Sequence, residues 1–156
     1  MTHDGTMSIL SQTHPILLVD DNPHDYEATK RCLKQIGVTN PLMYCADGNE
    51  ALDLLHELSS QRQHSRAPRP SLILLDLNLP GIDGREVLNQ LKQDKHLKSI
   101  PVVVLTTSSD SKDINACYDK GANGYVVKPV DYDGLLEAMR TLCNFWFEVA
   151  QVPSMA

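Results

Sequence analysis

Residues 72–81 of the chain have the sequence LILLDLNLPG, in which four consecutive apolar residues run directly into an acid, Asp76. Residues 16–21 repeat this arrangement with the sequence ILLVDD, which places Asp20 and Asp21 after the apolar residues. A short run that is apolar throughout, without alternation, is typical of a strand covered on both faces of a parallel sheet. The two stretches therefore predict buried parallel strands with acids at their carboxyl ends.

Three further apolar runs along the chain complete a set of five predicted strands. The five runs are residues 16–19, 42–45, 72–75, 102–105 and 125–127. Apolar residues at helical spacing follow each run, as at Ala51, Leu54, Leu55 and Leu58. Strand and helix alternating five times predict an α/β fold with a doubly wound, flavodoxin-like parallel sheet, for which the common strand order is 2-1-3-4-5.

The last helix is predicted to be long, beginning after Asp131 as its N-cap and continuing to about Val149. A length of 156 residues fits one domain by the usual range of roughly 100–200 residues. We therefore predict a disordered tail over residues 1–14, one domain over 15–149 and a C-terminal tail over 150–156. No effector domain is expected after the last helix.

The charge of the chain excludes some classes of function. There are 20 acidic and 14 basic residues, which give a net charge of −6 at pH 7, whereas proteins that bind nucleic acid usually need a basic face. No apolar run approaches the roughly 18–20 residues of a membrane span, and the N-terminus lacks a secretory signal. Four cysteines without metal-ligand spacing fit buried thiols in a reducing compartment. We expect a cytoplasmic protein that binds neither nucleic acid nor membrane.

The polar residues that follow the strands are predicted to meet in one crevice. Functional residues of open α/β sheets collect at the carboxyl ends of the strands. In the order 2-1-3-4-5 strands one and three are neighbours, which brings Asp20 and Asp21 next to Asp76. Thr106 follows strand four and Lys128 follows strand five. Each residue alone has an ordinary structural interpretation, such as a helix cap or a surface charge, but the combination indicates a site.

The charge of this cluster indicates what it binds. Three carboxylates and one ammonium leave a charge of −2, and like charges about 4 Å apart repel by roughly 4 kcal/mol at an effective dielectric constant of 20. Carboxylates without a neighbouring cysteine or histidine favour Mg²⁺ or Mn²⁺. Because Mg²⁺ in proteins commonly shares its coordination with phosphate oxygens, the cluster suits phosphoryl chemistry. Lys128 and Thr106 would then hold the phosphoryl oxygens.

At these residues the sequence resembles the receiver domain of bacterial response regulators, the phosphoacceptor half of two-component signalling. The matching stretches are ILLVDD at 16–21, LLDLNLPG at 74–81, DG at 83–84, VVLT at 103–106 and GANGYVVKP at 121–129. Together they span about residues 15–148 in the order of the family. The resemblance implies a signalling domain that is phosphorylated by a partner, and not an enzyme acting on a separate substrate.

The resemblance also implies a role for each residue of the crevice. Asp76 would accept the phosphoryl group from a phosphohistidine of a sensor histidine kinase. Asp20, Asp21, Asp76 and the backbone carbonyl of Asn78 would bind Mg²⁺.

Further roles implied by the resemblance concern the strands that follow. Lys128 and Thr106 would bind the phosphoryl group, and Thr106 and Tyr125 would form the switch pair that responds to phosphorylation. The peptide bond between Lys128 and Pro129 would be cis, as in the family.

Three further features resemble those of the small regulators paired with bacterial and cyanobacterial phytochromes. The features are NPHD at 22–25, the long loop before Ser71 and the aromatic residues 145–147. Those regulators often have glutamate where this chain has Asp20. The partners implied are a phytochrome-type histidine kinase and a downstream protein or phosphotransfer protein.

The basic loop Ser59–Pro70 is interpreted as a mobile loop, with a contact surface for an acidic partner as the alternative.

Phe145, Trp146 and Phe147 are three consecutive aromatic residues near the end of the last predicted helix. At 100° per residue the following residues form one stripe that packs on the sheet: Leu135, Met139, Leu142, Trp146 and Val149. With its apolar flanks this arc spans about 200°, twice the roughly 100° that one packing face needs. We therefore predict a homodimer with the three aromatic residues at its interface. The alternative is that the C-terminal tail folds over the helix end.

Two other classes of protein share parts of this pattern. A phosphatase of the haloacid-dehalogenase type has a second acid two residues after its nucleophile, but Asn78 stands at that position after Asp76. A flavodoxin-like electron carrier has a hydroxyl- and glycine-rich loop after strand one, where this chain has two acids. These two classes are the alternatives to a receiver domain.

Overall fold

The computed structural model describes residues 14–60 and 69–153 of the chain. The strands are β1 (Ile16–Val19), β2 (Leu42–Cys45), β3 (Leu72–Leu75), β4 (Val102–Thr106) and β5 (Gly124–Val127). The helices are α1 (Pro23–Gln35), α2 (Gly48–Ser60), α3 (Gly84–Gln93), α4 (Ser111–Asp119) and α5 (Tyr132–Asn144). A π-helical segment, Phe145–Val149, continues α5 without a break.

The five strands form one parallel sheet in the order β2-β1-β3-β4-β5, as predicted. Val19 at the end of β1 is paired with Leu75 at the end of β3, and Leu75 is paired with Val104 of β4. This register aligns the carboxyl ends of the central strands, so that the residues following them leave the sheet side by side.

Both faces of the sheet are covered, which explains the uninterrupted apolar runs. The larger core lies between the sheet and helices α2, α3 and α4, and contains Leu17 and Ile73. The smaller core lies between the sheet and helices α1 and α5, and contains Ile16 and Leu72. Since neighbouring residues of one strand face opposite cores, every position of β1, β3 and β4 is buried.

Helix α5 begins with the predicted cap, and helix α4 ends at a glycine. The Asp131 side chain accepts a hydrogen bond from the backbone N–H of Gly134, as expected of the N-cap of α5. Gly121, after α4, has a φ angle of +103°, and the N–H of Ala122 donates to the carbonyl of Cys117. This is the hydrogen-bond pattern of a glycine-terminated helix.

The last helical residues depart from the predicted stripe. Ala150 N–H donates to the carbonyl of Phe145, five residues back, which is a π-helical bond that widens the turn. The rotation of 100° per residue therefore no longer applies after Asn144. Val149, which was predicted to face the sheet, is 60% exposed, whereas Cys143, which does not belong to the predicted stripe, is buried.

Three predictions fall wholly or partly outside the described residues: the disordered tail 1–14, the loop Ser59–Pro70 and the tail 150–156. Within the described ranges, no helix is long and apolar enough to cross a membrane. All four cysteines are buried free thiols.

The peptide bond between Lys128 and Pro129 is trans, so the cis bond implied by the resemblance is wrong here. The two isomers of such a bond differ by only about 0.5–1 kcal/mol in favour of trans.

Candidate functional site

The acidic residues of the predicted crevice lie together beyond the ends of β1 and β3. The backbone N–H of Asp76 donates to the carbonyl of Val19, which extends the pairing of β3 with β1 into the site. Asp20 and Asp76 are buried and Asp21 is exposed. One carboxylate oxygen from each of the three acids lies within 4.8 Å of the others. The predicted acidic cluster is therefore present.

Lys128 reaches the same cluster from the end of β5. Its backbone N–H donates to the carbonyl of Thr106, 2.7 Å away, which fixes the residue beside β4. Its Nζ lies 2.8 Å from Asp20 Oδ2 and 3.1 Å from Asp76 Oδ2. The ammonium thus joins the two buried acids, as the strand order predicts.

A fourth acid, Asp25, also contacts Lys128. Asp25 Oδ2 lies 2.7 Å from Lys128 Nζ. Asp25 was not predicted to belong to the site, because an acid in the first turn of a helix is adequately explained by the helix dipole. Only the position of α1 against the sheet reveals this contact.

Burial and ion pairing act in opposite directions on the charged groups of the site. Burial raises the pKa of Asp20, although hydrogen bonds from Lys128 and from the Asn22 backbone oppose that rise. Burial alone would lower the pKa of Lys128, but the carboxylates of Asp20 and Asp25 raise it above its ordinary value. Lys128 is therefore a permanent cation that partly offsets the surrounding negative charge.

Thr106 ends β4 beside the cluster with an unsatisfied hydroxyl. The residue is fully buried, and Thr106 Oγ1 has no hydrogen-bond partner within residues 14–60 and 69–153. Leaving a buried polar group unpaired costs about 1–3 kcal/mol. Such a hydroxyl fits a site in which an incoming oxygen completes the hydrogen bonding.

Tyr125 lies on β5 with its ring packed against the larger core. Its hydroxyl donates to the backbone carbonyl of Ser108, 2.9 Å away in the loop between β4 and α4. Ser108 Oγ in turn donates to Asp113, which forms an ion pair of 2.7 Å with Arg85. The Ser108 hydroxyl and the Arg85 guanidinium lower the pKa of Asp113. The structure thereby links Tyr125, through one loop, to α3 and α4.

The chain after Asp76 turns tightly back to start α3. Asn78 is exposed, and its backbone N–H lies 3.4 Å from Asp76 Oδ1. Gly84 N–H donates to the carbonyl of Leu77, and a Cβ atom on Gly84 would lie only 2.1 Å from the carbonyl oxygen of Asp76. The turn therefore packs directly against the backbone that carries the central acid.

The donor set of the cluster fits a hard divalent cation. The three clustered acids offer carboxylate oxygens, which are the ligands that Mg²⁺ and Mn²⁺ prefer. Because Asp20 and Asp76 already share Lys128, the exposed carboxylate of Asp21 is the one most accessible to an incoming ion.

The three consecutive aromatic residues at the end of the helix have unequal environments. Phe145 is 46% exposed and packs edge-on against Trp146, with ring centroids 5.0 Å apart. Trp146 and Phe147 are partly buried against the smaller core. Among these three residues the exposed surface is therefore concentrated at Phe145.

Comparison with known proteins identifies relatives of the chain. The family model described as the response regulator receiver domain matches residues 16–140. The chain is 40% identical over 139 residues to response regulator Rcp1 of Synechocystis sp., a match that covers 89% of this chain and 92% of Rcp1.

Solved structures agree with the sequence match. The phosphorylated cyanobacterial phytochrome response regulator RcpA superposes with a TM-score of 0.82 at 39% identity, covering 91% of this chain and 99% of RcpA. The Mn²⁺-bound form of Rcp1 superposes with a TM-score of 0.78 at 40% identity, covering 90% and 99% of the two chains.

Proposed function

The chain belongs to the response regulator receiver family, and on that premise we propose that it accepts a phosphoryl group on Asp76 from a sensor histidine kinase. The observation that carries the proposal is the cluster of Asp20, Asp21 and Asp76 with Lys128 bound between the two buried acids. The family match decides against the phosphatase and electron-carrier alternatives.

In this mechanism a carboxylate oxygen of Asp76 attacks the phosphorus of a phosphohistidine. The new O–P bond forms as the N–P bond breaks, and the electron pair of that bond returns to the imidazole of the donor. Lys128 Nζ, 3.1 Å from Asp76 Oδ2, balances negative charge on the transferred group. The product is an acyl phosphate on the chain itself, so the protein acts as a signalling domain rather than as an enzyme.

Asp20, Asp21, Asp76 and the backbone carbonyl of Asn78 would hold Mg²⁺, with Mn²⁺ as the alternative ion. When bound, the cation neutralises charge on the phosphoryl oxygens. Support comes from the all-oxygen donor set and from the Mn²⁺-bound form of the relative Rcp1. The chain's own contribution is to fix the acids at adjacent strand ends.

Thr106 and Tyr125 would report the phosphorylated state to the surface. A phosphoryl oxygen would satisfy the unpaired hydroxyl of Thr106, which would bind it together with Lys128. Thr106 leads directly into the loop whose Ser108 carbonyl holds the Tyr125 hydroxyl. A shift of Thr106 would therefore change the loop and the position of the Tyr125 ring.

Removal of the metal is expected to stop phosphorylation. With acetyl phosphate and Mg²⁺ the wild type should form one acyl phosphate per chain, and a chelator should prevent it. Asp21→Ala should weaken Mg²⁺ binding by at least about tenfold, or about 1.4 kcal/mol, because its exposed carboxylate is not held by Lys128. Isothermal titration calorimetry measures the affinity.

The matched control for this experiment is Asp47→Asn. Asp47 follows β2 and caps α2 by accepting from the backbone N–H of Glu50, a bond that asparagine can keep. It lies outside the acidic cluster, so Asp47→Asn should bind Mg²⁺ as the wild type does. Unchanged affinity in Asp21→Ala would contradict the metal assignment.

The partner proposed upstream is a phytochrome-type histidine kinase. The support is the relationship to Rcp1 and RcpA, the latter a cyanobacterial phytochrome response regulator. Output would pass to a downstream protein or a phosphotransfer protein. The location would be the cytoplasm, because the four cysteines are free thiols and thiols stay reduced there. Phosphotransfer profiling against candidate kinases tests this assignment, and a strong preference for kinases of another class would overturn it.

We also propose a homodimer with Phe145, Trp146 and Phe147 at the interface. The exposed ring of Phe145 supports it. Analytical ultracentrifugation at micromolar concentration should show a dimer for the wild type and a monomer for the double variant Phe145→Ala, Phe147→Ala. Circular dichroism checks that the variant is folded, since Phe147 also packs against the core.

Two outcomes would contradict the dimer proposal. A monomeric wild type would exclude the dimer at that concentration. A double variant that remains dimeric would place the interface on a different surface.

A further inference from the structure

Lys128 is bound by a third carboxylate, that of Asp25 in the first turn of α1. Asp25 Oδ2 lies 2.7 Å from Lys128 Nζ, although the two residues are 103 positions apart in the chain. The same ammonium contacts Asp20 at 2.8 Å and Asp76 at 3.1 Å. Since an ammonium has three N–H donors, these three carboxylates occupy all of them.

Helix capping does not account for the position of the Asp25 carboxylate. The N-cap of α1 is Asn22, whose side chain accepts hydrogen bonds from the backbone N–H groups of His24 and Asp25. Interaction with the helix dipole needs no specific partner. The ion pair with Lys128 is therefore a feature of the site rather than of the helix end.

The three partners of Lys128 differ in how easily they can be released. The side chain of Asp25 is 38% exposed, whereas those of Asp20 and Asp76 are 2% and 8% exposed. A buried carboxylate that loses its cation is left poorly solvated, which is costly. An exposed carboxylate is rehydrated when its ion pair breaks, so little stability is lost. Asp25 is the partner that Lys128 can exchange at the lowest cost.

We propose that Asp25 is a positioning residue that occupies one N–H of Lys128 until a phosphoryl oxygen on Asp76 replaces it. The proposal rests on the proposed function, because it requires phosphorylation of Asp76. Before the reaction Asp25 competes with the phosphodonor for the ammonium, and afterwards its carboxylate returns to water. Asp25 forms no covalent bond. It therefore sets the rate at which the chain is phosphorylated and leaves the capacity for phosphorylation intact.

The test compares initial rates of acyl phosphate formation from acetyl phosphate and Mg²⁺. Asp25→Asn removes the charge of Asp25, and Glu27→Gln removes the charge of an exposed acid two positions further along α1. We expect Asp25→Asn to react roughly two- to fivefold faster than the wild type, as suits the loss of one ion pair whose carboxylate is partly exposed and whose ammonium is largely buried. Glu27→Gln should react at the wild-type rate. Thermal unfolding verifies that both variants are folded.

The comparison is repeated at about 1 M salt, where the screening length falls to about 3 Å. Long-range repulsion between the Asp25 carboxylate and the anionic phosphodonor is then screened, whereas the direct contact of Asp25 with Lys128 is not. A gain from a direct contact of 2.7 Å should persist in Asp25→Asn. The inference is overturned by an unchanged or slower rate in Asp25→Asn, by an equal gain in Glu27→Gln, or by a gain that disappears in salt. A wild type that forms no acyl phosphate would instead overturn the proposed function, and this inference with it.

Discussion

Asp76→Asn is expected to abolish phosphorylation of the chain while leaving its fold intact. The substitution replaces the attacking carboxylate with an amide of nearly the same size, which is a far weaker nucleophile. Lys128 would keep a hydrogen bond to the amide oxygen in place of its present 3.1 Å contact with Asp76. Incubation with acetyl phosphate and Mg²⁺, followed by mass spectrometry of the intact protein, should show the mass of one phosphoryl group on the wild type only.

The control for this experiment is the chemistry of the bond itself. An acyl phosphate is labile to base, whereas a phosphoserine or phosphothreonine ester survives mild base for longer. The group on the wild type should therefore be lost on brief treatment with base. Phosphorylation of Asp76→Asn at the wild-type rate would show that another residue is the acceptor.

Gly84→Ala is expected to lower the free energy of unfolding by about 3 kcal/mol or more, through overpacking. The added Cβ would lie 2.1 Å from the carbonyl oxygen of Asp76 and 2.7 Å from the Cα of Leu77. Both neighbours are backbone atoms, so the clash can be relieved only by moving the turn after β3. Urea denaturation followed by circular dichroism measures the loss, and the phosphorylation rate should fall with it because Asp76 is displaced.

Gly124→Ala provides the matched control. Its Cβ would make ordinary contacts, the nearest being 3.5 Å from a methyl group of Val103, so we expect a change within about 1 kcal/mol. If Gly84→Ala were as stable as Gly124→Ala, the turn after β3 would be more adaptable than its packing indicates.

The central strands and the acidic cluster could be predicted from the sequence. The apolar runs mark the strands, and the residues directly after those runs form the site. The runs 16–19, 42–45 and 72–75 coincide with β1, β2 and β3, and the strand order then brings Asp20 and Asp76 together. A strand buried on both faces is recognisable from a single sequence because all of its residues are apolar. The position of the neighbouring strands is not needed to recognise it.

The parts that could not be predicted depend on how helices lie against the sheet or against each other. The pairing of Asp25 with Lys128 requires the first turn of α1 to lie within reach of the Lys128 side chain, and the pairing of Arg85 with Asp113 joins α3 to α4. The π-helical turn after Asn144 includes a hydrogen bond that spans five residues instead of four. None of these has a signal in the spacing of residues along the chain.

The contact between Lys128 and the buried Asp20 has a consequence for how the proposed site is assembled during synthesis. It joins the residue after the first strand to the residue after the last strand, and the two residues are 108 positions apart in the chain. Contacts between residues so distant in sequence form late, after the loop-closure entropy has been overcome. A nascent or truncated chain that has formed β1 to β4 already carries the acceptor acid but lacks its lysine. Under the proposed function, competence for phosphorylation is thus expected to appear only when the whole domain has folded, so that incomplete chains would not accept phosphoryl groups.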